Sequence, residues 1–193
     1  DNGHTSVMAL AGGHGFNALP LRFGWFADGL FVVAVRPDQR NLLGAQLVTF
    51  DGHSPEQLLD GLRAYVGGPA NLARELSPNL PASPALLHAA GFADKVDSAV
   101  LVLHLRDGTQ ASQVLAAEPG TPEPLTRTFW PKRYLSPVPV PDDSGSWAHV
   151  LQGVPVPPAL AQPDRFFWHD YLANGSVLYV QINRVRDQDG KSL

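Results

Sequence analysis

The sequence predicts an α+β chain: a β-rich domain with a capped helix and a helical insert, then a proline-rich irregular segment, then a β-hairpin. Three observations carry this. Short β-branched and aromatic runs recur through the first 117 residues, bounded by Asp-Gly turns. One segment of helical period starts at Ser54 with cap residues in place. Eleven of the 18 prolines fall between Pro119 and Pro163, which bars long helices and central strands from that stretch.

Residues 30–35 (Leu-Phe-Val-Val-Ala-Val) form a continuous apolar run, as expected of a strand buried on both faces, and Asp28-Gly29 supplies the turn before it. Residues 45–50 are a second strand, closed by Asp51-Gly52. The helix follows, with Ser54 as N-cap, Pro55 at the first helical position and Gln57 completing a capping box. Leu58, Leu59, Leu62 and Tyr65 make one apolar face, and Gly67-Gly68 ends it. Two shorter helices are predicted over 70–76 and 83–90; the second has Ser83 as cap, Pro84 next and Gly91 past its end. Residues 99–105 read as a strand that turns at Asp107-Gly108 and returns over 110–115. Residues 166–172 and 177–183 flank Asn174-Gly175, a strong hairpin signal because both positions tolerate positive φ. In the second of these strands Leu178, Val180 and Ile182 alternate with Tyr179, Gln181 and Asn183. A two-stranded hairpin is marginal alone, so something else must cover that apolar face.

Composition bounds the function. A hydrophobic fraction of 44% over 193 residues supports a real core. The net charge of −4 provides no basic field, which argues against nucleic acid as a partner. No run approaches the roughly 20 apolar residues of a membrane helix, so no membrane span is expected. The absence of cysteine removes disulfides, thiolate zinc sites and cysteine nucleophiles. The seven histidines are scattered without metal-ligand spacing, so no metal and no cofactor are expected. Gly12-Gly13-His14-Gly15 has no strand before it and no helix after it, and reads as a connection rather than a phosphate loop. The chain begins at Asp1 and ends in a polar run from Asp187, so both ends read as cuts through something longer, with any signal peptide already missing.

The segment Gly44-Ala45-Gln46-Leu47-Val48-Thr49-Phe50-Asp51-Gly52, which delivers the chain to a capped helix, resembles the corresponding unit of PDZ-like domains. Three further pieces match in order. Asp1-Asn2-Gly3-His4-Thr5 resembles the His-Thr segment that precedes the PDZ-like part in tricorn-type peptidases. Phe26-Ala27-Asp28-Gly29-Leu30-Phe31-Val32 resembles the start of that domain. Val177-Leu178-Tyr179-Val180-Gln181-Ile182-Asn183 resembles the strand that opens the catalytic α/β domain. The chain is thus similar to the front part of a C-terminal-processing (tail-specific, tricorn-like) serine peptidase.

That resemblance implies a division into an N-terminal segment (1–22), a PDZ-like domain (23–117), a proline-rich linker or strap (118–165) and the opening hairpin of a catalytic domain (166–193). It implies amide hydrolysis by a serine nucleophile lying downstream of the strand matched at 177–183, so that this portion is itself inactive. His4 would be the general base, in the full-length protein only. The expected partners are unstructured polypeptides or protein C-termini, held by β-augmentation, and the remainder of the catalytic domain. The implied binding residues are Ala27, Asp28 and Gly29 as a loop, Leu30 opening the receiving strand, and Leu58 and Leu62 lining the groove from the helix. For the two leucines a place in the core is the favoured reading, and Asp28 puts negative charge where a carboxylate would land. A secreted or periplasmic protein is implied. The alternatives are a peptide-binding module of a non-catalytic homologue, or a carbohydrate-binding β domain that uses Phe166, Phe167, Trp168, Tyr171 and Tyr179. The capped helix between strands disfavours the last. Whether residues 118–165 form a packed strap or a linker is left open by composition.

Overall fold

The computed structural model describes residues 16–66, 68–77, 80–119, 147–162 and 165–185. Within them the β-branched and aromatic runs pair in chain order. Strands β1 (Leu21–Phe26), β2 (Gly29–Val35), β3 (Gln46–Phe50), β4 (Ser98–His104) and β5 (Gln110–Ala116) make an antiparallel sheet in the order β1-β2-β3-β4-β5. A short strand, β6 (Ala148–His149), joins the same edge of β2 that β3 uses: Phe31 faces Gln46, whereas Ala34 and Val35 face His149 and Ala148. β2 is therefore interior along its length, and Leu30, Val32, Val33, Ala34 and Val35 are all buried. The uninterrupted apolar run is the sequence mark of that position. β1 carries its own signal, with Leu21, Phe23 and Trp25 alternating against Arg22, Gly24 and Phe26.

The helices lie between β3 and β4. Helix α1 (Pro55–Leu62) starts with the expected capping box: the Gln57 amide donates to Ser54 Oγ at 3.3 Å, and the Ser54 amide donates to Gln57 Oε1 at 2.8 Å. Such a cap stabilises a helix by about 1 kcal/mol. Helix α2 (Ala70–Leu76) and a 3₁₀ turn, Leu80–Ala82, lead to α3 (Pro84–Ala89). The α3 N-terminus is satisfied from two sides, by Ser83 Oγ accepting from Leu86 and by Asn17 Oδ1 accepting from the Ala85 amide. One core joins these layers: Leu58 and Leu62 of α1 and Leu86 and Leu87 of α3 meet Phe23, Leu30, Phe50 and Leu101 of the sheet. The chain thus forms an α+β unit built on an antiparallel sheet with several helices. Ala18 and Glu118 exchange backbone hydrogen bonds of 3.0 and 2.8 Å, so the residues before β1 are tied to those after β5. Arg36 adds a bidentate grip on the Glu118 carboxylate.

Turn chemistry fits the backbone. Phe50 and His53 exchange two bonds of 2.9 Å around Asp51 (φ 44) and Gly52 (φ 84), a two-residue turn with both central residues left-handed. Asp51 tolerates that conformation because its carboxylate accepts from the Val100 amide at 2.7 Å and the Asp94 amide at 3.1 Å. At the β4–β5 turn, Asp107 Oδ1 accepts from the Thr109 hydroxyl at 2.7 Å and from the Thr109 amide at 2.9 Å. The hydroxyl bond first, and the amide bond with it, hold the Asp107 carboxyl below the usual aspartate range. Because the folded value is depressed, this turn's contribution is present above the unfolded pKa and is lost as pH falls through the folded one. In a carboxyl NMR titration Asp107 is expected to titrate below an unperturbed aspartate and to rise in Thr109→Val. An unmoved midpoint in the variant would contradict the assignment.

The terminal hairpin forms from β7 (Phe167–Leu172) and β8 (Val177–Ile182) as a separate two-stranded sheet. Leu172 pairs with Val177, so Asn174-Gly175 lies in a four-residue loop in which Ala173 is left-handed as well. Its faces are arranged unexpectedly. The polar residues of β8 and the Asn183 that follows it point at the chain before the hairpin: Gln181 Nε2 donates to the Ala159 carbonyl, and Asn183 Nδ2 donates to those of Gln162 and Arg165. Leu178, Val180 and Ile182 stay 54–58% exposed. Inside the proline-rich stretch, Ala148 and His149 are buried as β6 of the main sheet, residues 152–159 are exposed, and a short helix α4 (Pro158–Ala161) follows.

Candidate functional site

His4 lies outside the described residues, as do Gly12-Gly13-His14-Gly15. Of the six residues expected to bind a peptide, Ala27 and Asp28 form the exposed β1–β2 turn, and Gly29 begins β2. Leu30, Leu58 and Leu62 belong to the core, with exposures of 0%, 0% and 1%. Their side chains face one another rather than a ligand surface. The space between the first hairpin and α1 is filled by the 3₁₀ turn Leu80–Ala82, which touches both β1 and α1. Pro81 and Ala82 are buried there, and the Leu19 amide donates to the Ala82 carbonyl at 2.7 Å.

Nor is β2 open to strand addition. β1 occupies one edge. On the other, Val32 donates to Ala45 and accepts from Gly44, and the Val33 carbonyl accepts from Val150. A peptide adding to this strand would have to displace β3 or β6.

What the structure does open is a cleft of about 460 Å³ between the first hairpin and residues 150–160. Phe26, Phe31 and Val33 form one wall; Val150, Leu151 and Leu160 form the other. The volume is that of a typical small-ligand or side-chain site. Two local features shape it. Val33 is the extra residue of a β-bulge, since Arg22 faces Ala34 while Phe23 faces Val32. A bulge re-aims its side chain; Gly24 leaves room for Val33, because a Cβ there would stand 2.9 Å from Val33 Cγ1. Phe26 and Phe31 then meet edge to face at 5.6 Å, fixing the aromatic wall.

Charge sits only at the margin, on Asp28 and Arg106. Arg106, in the β4–β5 turn, is exposed and has no hydrogen-bond or ion-pair partner among the described residues. Its stem lies on Gly44, where an added Cβ would come within 2.8 Å of Cδ. Sequence reasoning singled out Phe26 and Asp28 but missed Val33, Val150, Leu151, Leu160 and Arg106. The last four sit in a turn or among prolines, where no periodic pattern marks which side chains converge.

The aromatics of the end block do not gather into one exposed stacking face: Tyr171 stays 63% exposed. Trp168 is buried against Tyr179 at 5.2 Å, and the Arg184 guanidinium lies over Phe166. Among the described residues no cluster of three His, Asp or Glu could hold a metal ion, and no helix is long and apolar enough to cross a membrane. Comparison of the chain with protein-family models, with curated proteins and with solved structures yields no match.

Proposed function

We propose that the chain is the peptide-recognition and regulatory portion of a secreted serine endopeptidase similar to the C-terminal-processing, tricorn-like family, with the nucleophile on a segment downstream of β8. The observation that carries this reading is the cleft. An apolar trough beside a rigid hairpin, with one charge of each sign at its margin, suits an extended polypeptide, which offers apolar side chains and both donors and acceptors. The net charge of −4 disfavours a polyanion in its place. The antiparallel sheet with a capped helix directly after the Asp51-Gly52 turn supports reading residues 23–117 as PDZ-like.

In this reading the cleft differs in place from the groove expected between Leu30 and α1, and recognition proceeds through side chains and end groups rather than a full strand ladder. Its contribution to catalysis is proximity. Holding a substrate chain on the same polypeptide raises its effective concentration at the nucleophile to roughly millimolar. His4 enters as the group that would take the serine proton, a hydroxyl being a weak nucleophile without a base.

The test titrates fluorescein-labelled unstructured peptides against the 193-residue chain and incubates them with a longer chain that includes the downstream segment. The expected result is saturable binding by both and cleavage by the longer chain alone, lost when its nucleophilic serine is replaced. Binding without cleavage by the longer chain would leave a non-catalytic recognition module. No binding to any peptide would end the proposal.

A further inference from the structure

We infer that the outer edge of β5 pairs with β5 of a second copy of the chain, antiparallel about a two-fold axis at Gln113, to make one continuous sheet. This pairing is independent of what the cleft binds. β5 ends the sheet, and among the described residues no strand pairs with its far side. Its register against β4 is unbroken from Gln110 to Ala116, so the edge runs straight for 7 residues. A free edge of this length is a template for another strand, and chains that stay monomeric blunt it with charge, proline or a bulge. Residues 110–116 (Gln-Ala-Ser-Gln-Val-Leu-Ala) carry none of the three. The opposite edge is protected: β1 carries Arg22, is irregular against β2 at Arg22 and Phe23, and is touched by the Leu80–Ala82 turn.

The backbone selects the partner. Leu105 donates to Thr109 and Ala117 donates to Asp97, so in this register the odd-numbered residues of β5 turn their N–H and C=O groups to β4. Gln110, Ser112, Val114 and Ala116 turn theirs outward, and they are spaced symmetrically about Gln113. Laid antiparallel on a copy of itself, the strand pairs Ser112 with Val114 and Gln110 with Ala116 in both directions across the axis, and every outward group is satisfied. No charge meets a like charge. On the solvent face Val114 is 71% exposed beside Val100 at 41%. The pairing sets Val114 next to Ser112 of the second copy, whose β4 neighbour is Val102, and so joins the valines of both chains into one patch. On the other face the two Gln113 side chains meet at the axis, where an amide both donates and accepts. An arbitrary polypeptide would satisfy the backbone alone; a second copy satisfies the backbone and both faces. A single strand pair lies at the low end of interface sizes, below roughly 1,200 Å², which points to a micromolar dissociation constant.

Sedimentation equilibrium of the 193-residue chain tests this, with a monomer–dimer equilibrium in the micromolar range as the expected result. Val114→Lys places a charge on the edge at an exposed position and should raise the dissociation constant at least about tenfold. Gln113→Cys reads the register. The protein has no cysteine of its own, and opposed residues that exchange no hydrogen bonds stand about 4.5 Å apart at Cα, within disulfide reach. Under mild oxidation Gln113→Cys should form a covalent dimer at least about tenfold faster than Ala111→Cys, whose two copies would lie about 14 Å apart. The cysteine pair decides the register whether or not the lysine is tolerated. A chain that stays monomeric to millimolar concentration, a dimer that Val114→Lys leaves intact, or cross-linking of Ala111→Cys as fast as Gln113→Cys would each overturn the inference. A monomeric chain that loses fluorescein-labelled peptide on Val114→Lys would overturn it in favour of a polypeptide ligand on this edge.

Discussion

Leu58→Ala is expected to lower the free energy of unfolding by about 3 kcal/mol, measured by urea denaturation. Leu58 is fully buried on the inner face of α1 and belongs to the cluster that includes Leu62, Phe50, Leu86 and Leu87. Truncation there removes three carbons from the interior and leaves a void walled by two helices and a sheet, which closes only partly. The alternative placement, in which Leu58 lines an open peptide groove, makes a different forecast: a solvent-facing leucine costs within about 0.5 kcal/mol when truncated. The two outcomes are far enough apart for one denaturation curve to separate them. A loss below about 1 kcal/mol would show that the α1 face is accessible and that the Leu80–Ala82 turn does not fill the space beside it.

Gly61→Ala is expected to destabilise the protein by about 2 kcal/mol, against the direction that helix propensity alone demands. In an isolated helix the same change gains about 1 kcal/mol. Here the Phe92 ring lies on Gly61, so an added Cβ would stand 2.1 Å from its Cε2 and Cζ atoms. Phe92 cannot simply step aside. Its amide donates to the Leu87 carbonyl at 2.7 Å just past α3, and its ring meets His53 edge to face at 5.2 Å. With the backbone pinned, the ring must leave its site by rotating away, giving up its contact with His53. The decisive comparison is the double variant. In a Phe92→Ala background the obstacle is absent, and Gly61→Ala should then be neutral or stabilising. If Gly61→Ala stabilises the unsubstituted protein, Phe92 does not rest on α1 as described.

The exposed face of the terminal hairpin shows the limits of pattern reading. Alternation correctly sorts Leu178, Val180 and Ile182 from Tyr179 and Gln181. It also suggests that the apolar set faces inward, since that is the usual direction of burial. Instead the polar set is anchored, because Gln181 and Asn183 find the carbonyls of Ala159, Gln162 and Arg165 within reach. Periodicity divides a strand into two faces; which face meets the rest of the chain is set by neighbours the strand does not encode.

Much of the architecture was legible because its signals are local. The Ser54–Gln57 cap, the Asp51-Gly52 turn, the Asp107-Gly108 turn and the hairpin around Asn174-Gly175 each depend on backbone preferences of two to four adjacent residues, and each is where the residues demand. The apolar runs at β2, β3 and β4 likewise report strand character within a short window. The tertiary structure alone decided what those elements touch. Whether Leu58 and Leu62 are core or groove, which strands take the edges of β2, and which side chains meet at the cleft depend on partners far away in the chain. Asn17 meets Ala85, Ala18 meets Glu118 and Val33 meets Val150. An apolar helix face looks the same in sequence whether a 3₁₀ turn or a ligand covers it, because the free energy of burial depends on the area removed from water and not on what removes it.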